Sequence, residues 1–96
     1  MAALHLMISG RVQGVGFRWS MCEAALEHGA RGWVRNRRDG RVEAVVDGGD
    51  AVIAAMLRWA QHGPRSARVD QVETRAATSA EIVMIGAGFE PLADGW

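Results

Sequence analysis

The run Gly10-Arg11-Val12-Gln13-Gly14-Val15-Gly16-Phe17-Arg18 places three glycines within seven positions and ends on an arginine. Glycine tolerates φ values that a side chain forbids, so such a run can curl tightly. Curled backbone turns successive N–H groups inward as a nest that holds an anion. A helix opening near Phe17 adds unsatisfied amides and the positive end of its dipole. Arg18 contributes a planar, permanently charged fork suited to phosphate oxygens. Arg18 and the amides of Gln13, Gly14, Val15, Gly16, Phe17 and Arg18 therefore form a candidate phosphoryl-binding cradle. The nucleotide P-loop is excluded, because it needs a lysine after its last glycine and the chain has none. The dinucleotide fingerprint fails too, since no third glycine follows Gly14 and Gly16 at the required spacing. Taken alone, the run also fits a plain strand-to-helix turn carrying an exposed arginine.

The elements that would position this run follow from periodicity. Ala3 to Ser9 alternates as a strand, with Leu4, Leu6 and Ile8 on one face and His5, Met7 and Ser9 on the other. Phe17 to His28 reads as a helix with Met21, Cys22 and Ala25 in a stripe, Leu26 beside it, and Gly29 as the stop. Arg31 to Arg37 and Arg41 to Asp47 are strands joined at the Asp39-Gly40 turn. Asp50 is a candidate N-cap for a helix carrying Val52, Ile53, Met56, Leu57 and Ala60, which Gly63-Pro64 ends. Ala67 to about Ala76 makes a fourth strand, and the opposite parities of Val69 and Val72 predict a bulge. The last strand is left open between Ile82–Ile85 and Gly88–Glu90, with Pro91 barring an interior strand beyond it.

This β-α-β-β-α-β order predicts an α+β, ferredoxin-like sandwich: an antiparallel sheet with two helices on one face. The first two strands run parallel through a right-handed crossover, so their C-terminal ends share one sheet edge. The cradle leaves the first strand at that edge and Asn36 sits near the end of the second. Asn36 also shares the parity of Val34, the apolar position expected to face the helices. It is the second candidate catalytic residue, although taken alone it better suits a hairpin flank chosen for turn propensity.

The glycine run resembles the signature of the acylphosphatases, and Gly32-Trp33-Val34-Arg35-Asn36-Arg37-Arg38-Asp39-Gly40-Arg41-Val42-Glu43 resembles their second one. Similarity continues through Gly63-Pro64 and Ala67-Arg68-Val69-Asp70, covering roughly residues 4–75 well and the C-terminus poorly. The resemblance implies metal-independent and cofactor-free hydrolysis of an acyl phosphate to a carboxylate and inorganic phosphate. It assigns Arg18 and the loop amides to the phosphoryl group and Asn36 to orienting the attacking water. In that family the chain closes with a strand containing a phenylalanine like Phe89; Pro91 and the extension to Trp96 depart from this.

Composition bounds the remaining choices. Ninety-six residues, 49% apolar and 23% charged, fit one acylphosphatase-like domain spanning 1–96. No apolar run reaches the roughly 18 residues of a membrane span, and the N-terminus lacks the pattern of a secretory signal. The single cysteine, Cys22, allows no internal disulfide, and a cytoplasmic setting is expected. Seven arginines against three acids in residues 1–41, and four against eight beyond, give halves of +4 and −4. That asymmetry suits a small anionic substrate better than nucleic acid. RNA-recognition motifs share the element order, but the candidate first and third strands carry no aromatic on which bases could stack. His5, His28 and His62 show no metal-ligand spacing. Arg35, Arg37, Arg38 and Arg41 are expected to be solvated, and Met7, Met21, Met56 and Met84 to fill the core. A monomer is expected, since assigning the core leaves no obvious amphipathic surface.

Overall fold

A computed structural model describes residues 3–94. Eight elements follow one another: β1 (Leu4–Arg11), α1 (Phe17–His28), β2 (Arg31–Asn36), β3 (Val42–Asp47), α2 (Asp50–Ala60), β4 (Arg68–Ala76), α3 (Ser79–Val83) and β5 (Phe89–Pro91). The five strands form one sheet in the order β4-β1-β3-β2-β5. Both β1 and β2 pair antiparallel with β3, so they run in the same direction and end at the same sheet edge. The expected ferredoxin-like arrangement is present, but the sheet is mixed rather than wholly antiparallel, because β5 pairs parallel with β2.

Alternation in β1 puts Leu6 and Ile8 on the helix side, where both are fully buried. They meet Val34 from β2, Val42, Ala44 and Val46 from β3, Met21 and Ala25 from α1, and Ile53 and Met56 from α2. Phe17, at the start of α1, is buried in the same cluster and meets Trp59 of α2 edge-on, with centroids 5.2 Å apart. Burying a side chain of that size is worth about 2–3 kcal/mol, which fixes the first turn of α1 against the sheet. At the other end of α1, left-handed Gly29 lets the Ala30 N–H reach back 2.9 Å to the Ala25 carbonyl, the stop expected there.

The predicted bulge is in β4: Ser9 pairs with Gln71, but Gly10 pairs with Val69, leaving Asp70 as the extra residue. Val69 and Val72 consequently both pack on the main core. The last strand is β5, which contains Phe89 and lies parallel to β2 at the sheet edge. Pro91 is tolerated there because an edge strand has a side with no ladder partner.

Several expectations are corrected. Residues 82–85 are not a strand: Ile82 and Val83 lie in α3, which covers the sheet face opposite α1 and α2. Its Glu81 carbonyl accepts a 3.0 Å hydrogen bond from Trp33 Nε1, over a second small core of Ala3, Trp33 and Val45. Leu26 is 85% exposed and lies off the α1 stripe; Met84 is exposed and Met7 only half-buried, so neither fills the core. Asp50 is the first residue of α2, and Gly49 holds the N-cap position. Trp96 lies outside the described residues. No helix among them is long and apolar enough to cross a membrane.

Candidate active site

The loop between β1 and α1 is rooted at both ends. Val12 and Phe17 are buried in the main core, 1% and 2% exposed, while Gly14 and Gly16 between them are exposed. Both glycines are left-handed, with φ of 73° and 78°, which an L side chain adopts only at a cost of about 1 kcal/mol or more. Gly16 is the N-cap of α1 and no side chain caps that end among the described residues. The first amides of α1 and the positive end of its dipole thus open onto the loop.

Two side chains tie the loop down. Gln13 Nε2 donates to the carbonyls of Arg37 (2.7 Å) and Arg41 (2.9 Å), the two residues that close the β2–β3 hairpin. Ser66 Oγ donates to the Val15 carbonyl at 3.1 Å, joining the loop to the segment before β4. The loop is therefore held by core packing at its ends and by hydrogen bonds in its middle.

Arg18 is the second residue of α1 and Asn36 the last of β2. Gly14, Gly16, Phe17, Arg18 and Asn36 line a single cavity of about 490 Å³. Asn36 has the parity of Val34, as expected, and so faces the helix side with it. The structure thus brings together two residues 18 positions apart, by the shared edge at which β1 and β2 end. Gln13 and Val15 do not line the cavity; they flank it and anchor the loop.

Further residues were not legible in the sequence. Phe89 and Pro91 of β5 complete the cavity wall with Cys22. Burial pushes the Cys22 thiol up, with Glu90 adding to the effect and Arg18 opposing it, so the sulfur is a protonated wall atom rather than a nucleophile. Asp94 places Oδ1 3.4 Å from the Arg18 guanidinium, and both groups are accessible. At that distance and exposure the contact is weak, and an incoming anion can displace it. Nothing local in the sequence pairs residues 76 positions apart.

The one grouping of metal-ligand types is on the opposite sheet face, among the described residues. His5, Glu43 and Glu81 bring ligand atoms within 4.8 Å of one another. Glu43 already meets His5 at 2.7 Å, Arg35 at 2.8 Å and Arg37 at 3.2 Å, and Glu81 meets Arg75 at 2.7 Å. Three guanidiniums against two carboxylates more than balance the acids, which disfavours a cation. Burial pushes the Glu43 carboxyl up, but hydrogen bonds from His5 and Arg35 outweigh it and hold the group below its usual range. Arg35 and Arg37 are therefore structural partners of a buried acid, not the solvated residues expected.

A family model described as acylphosphatase matches residues 4–91. The acylphosphatase of Thiobacillus denitrificans is 50% identical over 94 residues, covering 98% of this chain and all of that protein. The acylphosphatase of Thermococcus kodakarensis is 55% identical over 71 residues, 74% of this chain and 78% of that one. The crystal structure of acylphosphatase from Bacillus subtilis superposes with a TM-score of 0.85 at 29% identity, covering 96% of this chain and 99% of its own. Matched along almost its whole length in sequence and in fold, this chain belongs to the acylphosphatase family.

Proposed function

We propose that this enzyme hydrolyses acyl phosphates to a carboxylate and inorganic phosphate, with the phosphoryl group seated in the 13–18 loop. The observation that carries the reading is the convergence of Gly14, Gly16, Arg18 and Asn36 on one cavity at the N-terminus of α1. Arg18 and the loop amides bind the phosphoryl oxygens and stabilise the charge that shifts among them as the bond to the leaving group lengthens. Asn36, which can both donate and accept, holds a water in line with that bond.

The water oxygen bonds to phosphorus as the P–O bond to the acyl group breaks. The carboxylate leaves with the electron pair, and the water proton passes to a phosphate oxygen. A carboxylate is a good leaving group, so no strong general acid is required. Asn36 is neutral and a poor base, which makes the phosphate oxygen the proton acceptor. Neither a metal nor a cofactor enters these steps.

Hydrolysis of benzoyl phosphate, with and without a chelator, tests the reading. The wild type is expected to be active in both conditions. Arg18→Ala should lose activity and inhibition by inorganic phosphate together. Asn36→Ala should lose about 10²-fold in turnover, on the scale of a misplaced reactant, while phosphate inhibition persists. Chelator-sensitive activity, or normal phosphate inhibition in Arg18→Ala, would overturn the assignment.

A further inference from the structure

Trp19 and Leu26, 72% and 85% exposed, stand on the outward side of α1. Seven positions apart in α1, the two share one face of the helix. They line a groove of about 570 Å³ between α1 and the chain at Ala87, Gly88 and Phe89. The groove is continuous with the phosphoryl cavity, because Trp19, Cys22 and Phe89 line both. Its charged members sit poorly for holding a second anion: Arg31 is engaged by Asp47, and Glu23 would repel a carboxylate.

An acyl phosphate seated in the cradle has one end fixed, and its carbon chain must leave from the bridging oxygen. The apolar groove is the continuation that opens from the same cavity. We propose that this groove is the acyl subsite, selecting acyl phosphates with uncharged aromatic or medium-chain groups over short or charged ones. The proposal rests on the phosphoryl site described above. A protonated Cys22 thiol on the shared wall fits it, as does a volume in the range of small-molecule sites. Each fully buried methylene of such a chain is worth about fourfold in affinity, and less along an open groove.

The test compares kcat/KM for acetyl, octanoyl, benzoyl and succinyl phosphates in the wild type, Leu26→Glu and Trp19→Ala. The wild type is expected to favour octanoyl and benzoyl over acetyl phosphate by about tenfold or more, and to discriminate against succinyl phosphate. Leu26→Glu, on an exposed helix position, should shrink the octanoyl preference to about twofold and leave acetyl phosphate within about twofold. Trp19→Ala should likewise lose most of the preference. Equal rates for acetyl and octanoyl phosphate in the wild type, or an undiminished preference in both variants, would overturn the subsite while leaving the phosphoryl site standing. Absence of hydrolysis of every acyl phosphate would overturn the phosphoryl site and the subsite with it. Concentration-dependent dimerisation abolished by Leu26→Glu would assign the groove to a second copy instead.

Discussion

Gln13 separates binding from positioning at the scale of single residues. Its amide belongs to the candidate cradle, but its side chain donates twice to the β2–β3 hairpin that ends next to Asn36. The loop and the residue opposed to it are thus held together by one side chain. Each hydrogen bond contributes about 1 kcal/mol, and the two hairpin carbonyls lose their donor when it is removed. Gln13→Ala is expected to lower stability by about 1–2 kcal/mol in urea unfolding. It should also reduce kcat/KM by about tenfold or more, because the loop and Asn36 lose their shared register. A normal kcat/KM in a destabilised variant would show that Gln13 acts on the fold alone. Arg18 and the glycines were legible because their chemistry is local: a fork beside a curled backbone. The side-chain partners of Gln13, and the contact between Arg18 and Asp94, were not. Those partners are set by tertiary packing across 24, 28 and 76 positions.

Among the elements, topology explains why the pairing of Asn36 with the loop is legible in the sequence. Two strands antiparallel to a common neighbour must end at the same edge, and parity then chooses the face. The bulge in β4 was legible for the same reason, since Val69 and Val72 cannot share a face in an unbroken strand. What failed was α3. The apolar run Ile82-Val83-Met84-Ile85 has the composition of a strand, yet Thr78 and Glu81 form a reciprocal capping box that starts a helix. That box was present in the sequence; the apolar composition after it masked the signal. Glu81 also pairs with Arg75, and this bond, with the Thr78 amide, holds its carboxyl at about 2.

A depressed carboxyl pKa stabilises the fold above the unfolded value near 4.3, and that contribution is lost as pH falls toward 2. Because solvent screens the pair, the effect should be about 1 kcal/mol. Glu81→Gln is expected to be less stable than the wild type at pH 7, with the gap closing between about pH 5 and pH 2. Thermal unfolding across that range is the check, and a gap constant with pH would contradict the assignment.

For the molecule as a whole, the basic first half reads differently once its partners are known. Arg31 and Arg41 pair with Asp47 and Asp39, and Arg35 and Arg37 with buried Glu43. Much of that positive charge is therefore offset by neighbouring acids rather than presented at the cavity. Arg18, which meets accessible Asp94 across a weak contact, is an arginine placed at the cavity. The sheet makes this division: its helix face carries the apolar core and the cavity edge, and its other face carries the ionic network under α3. The proposed reaction requires that the 13–18 loop and Arg18 hold a phosphoryl group. Titration of the ¹⁵N-labelled protein with inorganic phosphate, followed by amide and arginine side-chain shifts, tests it most directly. Saturable shifts should concentrate at residues 13–18, at the Arg18 guanidinium and at Asn36, with little change near His5, Glu43 and Arg75. Saturable shifts at that ionic network with the loop unmoved would contradict the account.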